Sequence, residues 1–113
     1  MIKRGAIYTM AARGSYTSKP RPAVILQNPA LNLKSVIVVP LTTFDADAPE
    51  TRIAIEPSPT NGLSIRSFAM CDKIAAVPVS NLDKEIGVLT RGQLTDIRAV
   101  IQFLLSDTDD LSS

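Results

Sequence analysis

The stretch Lys19-Pro20-Arg21-Pro22-Ala23-Val24-Ile25-Leu26-Gln27-Asn28 joins a cationic, proline-stiffened loop to an unbroken apolar run. Pro20 and Pro22 fix their own φ and push the residues before them toward extended backbone. Arg21 therefore sits in a restrained segment at a strand mouth, where a side chain can be aimed. Ala23 to Leu26 has the continuous apolar character of a strand buried on both faces. A guanidinium fork matches two oxygens of a phosphate. The chemistry this stretch points to is an anion clamp, and the anion taken forward is a scissile phosphate.

Composition narrows what can accompany it. The chain has no histidine and one cysteine, Cys71. Two-histidine ribonuclease chemistry, a Ser-His-Asp arrangement and histidine-containing metal sites are excluded. Asp45 and Asp47 could touch a divalent cation, but two loop carboxylates read more simply as a solvated loop. No metal and no cofactor are expected. A lone cysteine without a basic partner reads as packing, not as a nucleophile.

The net charge of +1 hides a split. Residues 1–44 carry six cations (Lys3, Arg4, Arg13, Lys19, Arg21, Lys34) and no acid, while residues 45–113 carry the other six cations and all eleven acids. Such asymmetry suits a polyanion-facing region. No apolar run reaches the length of a bilayer span. The N-terminus lacks a signal-peptide core, and one cysteine fits a reducing compartment, so a cytoplasmic location and no membrane are expected.

The elements that must position Arg21 follow from periodicity. Gly5 to Met10 alternates and predicts a first strand. Residues 11–19 form a polar loop with Arg13, Ser15, Tyr16 and Lys19. Ala23 to Gln27 is the second strand, and Ser35 to Leu41 the third, with Pro40 marking its end or a bulge. Arg52 to Glu56 predicts a half-exposed strand, and Pro57 to Gly62 a turn. Ser67 to Ala76 reads as one longer strand. Pro78 to Leu82 reads as a short turn and Glu85 to Leu89 as a short strand. Thr90-x-x-Gln93 has capping-box spacing. Leu94, Ile97, Val100, Ile101 and Leu104 then recur at three and four as one helical stripe. The acidic residues Asp107, Asp109 and Asp110 would oppose the helix dipole, so fraying and a flexible tail over 107–113 are expected. Together these predict one domain over 1–113: a β-rich α+β fold, a small bent antiparallel sheet or barrel with a C-terminal helix. Apolar strands with limited cover in a chain this short favour a homodimer.

The order and spacing of six segments resemble the MazF/PemK (Kid) family of toxin–antitoxin ribonucleases. They are Lys3-Arg4-Gly5-x-Ile7-Tyr8, Arg13-Gly14-Ser15, Arg21 to Asn28, Val36 to Thr42, Cys71-Asp72-Lys73-Ile74 and Ile86-Gly87-Val88-Leu89. Leu94-x-x-Ile97 to Leu105 matches the family's terminal helix. The resemblance implies an SH3-like, CcdB-like β-barrel acting as a homodimer. It implies metal-independent, sequence-specific cleavage of single-stranded RNA (mRNA), and an antitoxin whose acidic, disordered tail covers the basic groove. Arg21 falls on the family's catalytic arginine and Thr42 on its catalytic threonine. Arg13, Ser15, Tyr16 and Lys19 fall on the loop that flanks RNA, and Thr43 and Phe44 follow the catalytic threonine. Asp72 falls on an acid used in the PemK branch. Two positions depart: Met70 stands where PemK-type members carry arginine, and Phe44 where many members carry a polar residue, open to a stacking role.

The implied chemistry needs no enzymic nucleophile. The ribose 2′-OH attacks the adjacent phosphorus, leaving a 2′,3′-cyclic phosphate and a 5′-OH. Arg21 is assigned to charge stabilisation, since arginine stays protonated and makes a poor base. Thr42 can donate a further hydrogen bond. Asp72 is open between a base and a structural ion pair. A different reading on the same fold is a CcdB-like toxin that poisons DNA gyrase without catalysis, but such proteins use a C-terminal tryptophan and this chain has none.

Overall fold

The computed structural model describes residues 2–10, 21–28, 30–44 and 50–107. Seven strands and one helix are found there: β1 (Ala6–Met10), β2 (Arg21–Ile25), β3 (Ser35–Thr42), β4 (Arg52–Ile55), β5 (Ser67–Met70), β6 (Ala75–Pro78), β7 (Leu82–Val88) and α1 (Arg91–Leu104). All pairings are antiparallel, in the order β4-β5-β3-β2-β1-β7, with β6 also against β3. The mainly β class with a C-terminal helix matches expectation. The barrel is not closed: β4 and β7 end the path and do not pair with each other.

The long strand expected over Ser67–Ala76 is instead two strands separated by a 3-10 turn at Cys71–Lys73. The cause lies in Pro40 of β3. The Leu26 amide donates to the Ile37 carbonyl at 2.9 Å, so the polar groups of Ile37 face β2. Pro40 is three residues on, so the edge where its amide would stand is the opposite one, against β5 and β6. Proline has no N–H to donate there. The partner chain answers with a turn. β5 pairs with Leu41 and Thr42, the 3-10 turn passes the proline, and β6 resumes pairing along Ser35 to Val38.

Each sheet face has its own core. Ile7, Val24, Val39, Leu41, Ile55, Ala69 and Cys71 point to one side, against Ile97 of α1. Ala6, Ala23, Ile25, Val36 and Val38 form the second core on the other side. β2 is thus buried on both faces, as its unbroken apolar run predicts. Ile37 is an exception in β3: it is exposed, as are Leu31 and Leu33 before it.

The turn after β4 is locked by Asn61, a buried polar residue that sequence reading passed over. Its Oδ1 accepts from the amides of Ser58 (3.1 Å) and Leu63 (3.0 Å), and its Nδ2 donates to the Glu56 carbonyl at 2.9 Å. The turn lies directly on β7, where the Val88 amide donates to the Thr60 carbonyl at 2.9 Å. Gly62 has a φ of +71°, and a Cβ there would run into the Ile86 carbonyl.

The capping box forms as its spacing predicts. Thr90 Oγ1 accepts from the Gln93 amide at 3.1 Å, and Gln93 Oε1 accepts from the Thr90 amide at 2.9 Å. Leu94, Ile97, Val100 and Ile101 face the first core, but Leu104 at the helix end is partly exposed. The helix stops before Asp107, so no acid of the tail stands within it; residues 108–113 of the tail lie outside the described residues. Two stability outcomes follow. Thr90→Ala should cost about 1 kcal/mol in denaturant unfolding. Gly62→Ala, which meets both a left-handed backbone and a carbonyl, should cost more than about 2 kcal/mol.

Candidate active site

The β2–β3 register pairs Ala23 with Pro40, Val24 with Val39 and Ile25 with Val38. Carried two residues further, it sets Arg21 opposite Thr42. Val24 and Leu41 point into the first core, so by strand alternation Arg21 and Thr42 both project from the other face. The same cross-strand row continues on each side. Met10 of β1 is the partner of Arg21, and Phe68 of β5 is the partner of Thr42. A cation and a hydroxyl from two neighbouring strand ends thus stand at one rim of the sheet.

Arg21 is exposed and Thr42 half-buried. Thr42 Oγ1 accepts from the Phe44 amide at 3.1 Å. That bond occupies a lone pair and leaves the hydroxyl proton free to be donated outward. Thr43 and Phe44 follow in an exposed bend, with the Phe44 ring 70% accessible. The expected RNA contacts Arg13, Ser15, Tyr16 and Lys19, like Asp45 and Asp47, lie outside the described residues.

Asp72 keeps different company. It sits in the 3-10 turn with Oδ1 3.7 Å from the Arg52 Nε. Arg52 is largely buried, and its Nε finds no hydrogen-bond acceptor among the described residues. No hydrogen bond or ion pair links Asp72 to Arg21 or Thr42 among the described residues. Cys71, next to it, is 1% exposed, and burial, with Asp72 adding repulsion, pushes its thiol up to about 11. Such a thiol is a packing group. On β1 the Tyr8 hydroxyl also titrates high, through burial and then the Glu85 carboxylate 3.4 Å away.

Sequence reading missed a second cation on this face. Arg66 lies over the Phe68 ring, 5.2 Å from its centroid, with Nε 2.7 Å from Glu56 Oε2. Only the strand register reveals that Phe68 neighbours Thr42. Elsewhere, an open cleft of about 1170 Å³ runs beside the second core, lined by Ile2, Ile25, Leu31, Leu33, Val36 and Val79 among others. Among the described residues, no three His, Cys, Asp or Glu side chains are grouped to hold a metal, and no helix is long and apolar enough to cross a membrane.

A small antiparallel sheet, a C-terminal helix across one face and a polar rim on the other is an architecture shared with known toxins. The structure superimposes on the Mycobacterium tuberculosis toxin MazF-mt6 with a TM-score of 0.74 at 28% identity, covering 89% of this chain and 98% of that one. An endoribonuclease from mycobacterial species, solved in complex with its cognate antitoxin, gives a TM-score of 0.76 at 24% identity, covering 93% and 95%, and shows the same fold. A probable endoribonuclease MazF of Mycolicibacterium smegmatis is 50% identical over 106 residues, 91% of this chain and 96% of that protein. The family model of PemK-like, MazF-like toxins of type II toxin–antitoxin systems matches residues 3–105, and the chain belongs to that family.

The Cys71 thiol predicts an alkaline limit on stability. Below pH 9 it is protonated in both states. Between pH 9, where an ordinary thiol ionises, and about 11, the unfolded chain loses the proton and the folded chain keeps it. Stability should therefore fall by about 2–3 kcal/mol as pH rises through that window. Stability measured by denaturant unfolding across it should fall more steeply in the parent than in Cys71→Ala, which keeps only the decline that the raised Tyr8 hydroxyl adds above pH 10.

Proposed function

We propose that this chain is an endoribonuclease toxin that cleaves single-stranded RNA at short sequences, without a metal, and is held off by a cognate antitoxin. The observation that carries the reading is the juxtaposition of Arg21 and Thr42 at one rim, with the Thr42 hydroxyl tied to the Phe44 amide. Family membership and the 50% identity to a probable endoribonuclease supply the reaction class.

In this mechanism the 2′-oxygen forms a bond to phosphorus as the bond to the 5′-oxygen breaks. The 2′-OH proton leaves and another reaches the departing 5′-oxygen. Extra negative charge gathers on the phosphoryl oxygens. Arg21 faces that charge with two parallel N–H donors, and Thr42 adds an O–H donor already oriented by its own acceptor bond. Preorganised donors of this kind are worth about 3–4 kcal/mol each. Asp72 is left to structure, since its partner is Arg52. The Phe44 ring offers a platform on which a base can stack. The exposed apolar Leu31, Leu33 and Ile37 suit a homodimer contact. The antitoxin's acidic tail would lie over the cationic N-terminal half, in cytoplasm shared with mRNA.

Primer extension on a long RNA, with EDTA present, tests activity, cleavage motif and metal dependence together. Arg21→Ala should abolish cleavage and growth arrest while its thermal midpoint stays close to that of the parent, because Arg21 is exposed. Thr42→Ala should lose about 10²–10³ in kcat, and Thr42→Ser should retain most of it. Undiminished cleavage by Arg21→Ala overturns the assignment.

A further inference from the structure

We propose that Arg66 is a second phosphate-binding residue of this site, holding the RNA backbone beside the bond that Arg21 and Thr42 grip; the proposal rests on the endoribonuclease reading above. Thr42 and Phe68 are direct cross-strand partners, so their side chains share the face that carries Arg21. The Phe68 ring is 8% exposed and forms the floor beside Thr42. The Arg66 guanidinium lies on that ring. Carrying the β4–β5 register one residue past Ile55 and Ser67 makes Glu56 and Arg66 cross-strand partners, which accounts for their 2.7 Å contact. By strand geometry the Arg66 backbone stands about 8 Å from that of Thr42. An adjacent phosphate of the same strand is within its reach.

An exposed arginine–glutamate pair is ordinarily a surface contact worth little. Two features set this one apart. The guanidinium is fixed twice, by the ring beneath it and by the carboxylate at Nε, so little side-chain freedom remains to be lost on binding. Glu56 meets the guanidinium at Nε, and no other ion pair takes up Arg66 among the described residues. The Arg66 side chain is 56% exposed, so its planar fork, which fits phosphate, is accessible.

The test uses a single-stranded oligonucleotide spanning the cleavage site mapped by primer extension. Arg66→Ala should raise KM about tenfold with kcat little changed. It should also reduce by about one the slope of log affinity against log salt, measured by anisotropy with a 2′-deoxy substitution at the scissile ribose. Arg66→Gln, which keeps a side chain over Phe68, should behave alike and guards against loss of fold. Arg98→Ala, on α1 behind the other core, should leave KM and slope unchanged. An unchanged KM and salt slope in both Arg66 variants overturns the proposal, as does an equal effect of Arg98→Ala. Failure of the parent reading is separate: it shows as full cleavage by Arg21→Ala, and the anisotropy slopes report on Arg66 even then.

Discussion

The structure depends on β3 being held along both edges while its residues from Val38 to Leu41 reach both cores. Its Val38, Val39 and Pro40 pair with β2, and its opposite edge is shared between β5 and β6. Val39 and Leu41 enter one core, and Val36 and Val38 the other. A strand fixed in this way has no freedom of register, since a slip of one residue would exchange its core sets. Thr42, the last residue of β3, inherits that rigidity. Arg21, at the open end of β2, inherits it through the same ladder.

Much of this was legible in the residues because burial and periodicity write the same signal. The apolar run Ala23–Leu26 read as a doubly buried strand, and the helix was marked by its cap and its stripe. The break at Cys71 was not legible from its own segment, where Phe68, Met70 and Ile74 alternate acceptably. Its cause sits thirty residues earlier, in a proline lacking the one amide that edge of β3 required. Asn61 was hidden for a related reason. In a stretch of Pro, Ser, Thr and Gly it reads as one more turn residue, and its burial arises only because β7 lies across it. Arg66 was missed because cross-strand neighbours are far apart in sequence. The loop positions Arg13, Ser15, Tyr16 and Lys19 rest on the family resemblance.

The two arginines nearest the carboxylates show how differently one side chain is used. Arg52 is drawn inward, with a loose ion pair to Asp72 and a buried Nε that has no acceptor among the described residues. A buried charge so weakly matched contributes little net stability, and removing its partner would be costly. Arg66 stays outside, where Phe68 and Glu56 aim it without burying it. The first pair ties β4 to the turn after β5, and the second ties the residue after β4 to the residue before β5 and stays open to solvent.

The order of the strands also governs how the polypeptide comes into being. β1 is flanked by β2 and by β7, and the first core is covered by α1, which follows β7. A nascent chain that has emerged only as far as β6 has an uncovered apolar face and a first strand paired along one edge alone. Closure waits for β7 and α1, so the sheet rim formed by the ends of β2 and β3 is not rigidly held until those two elements have been made.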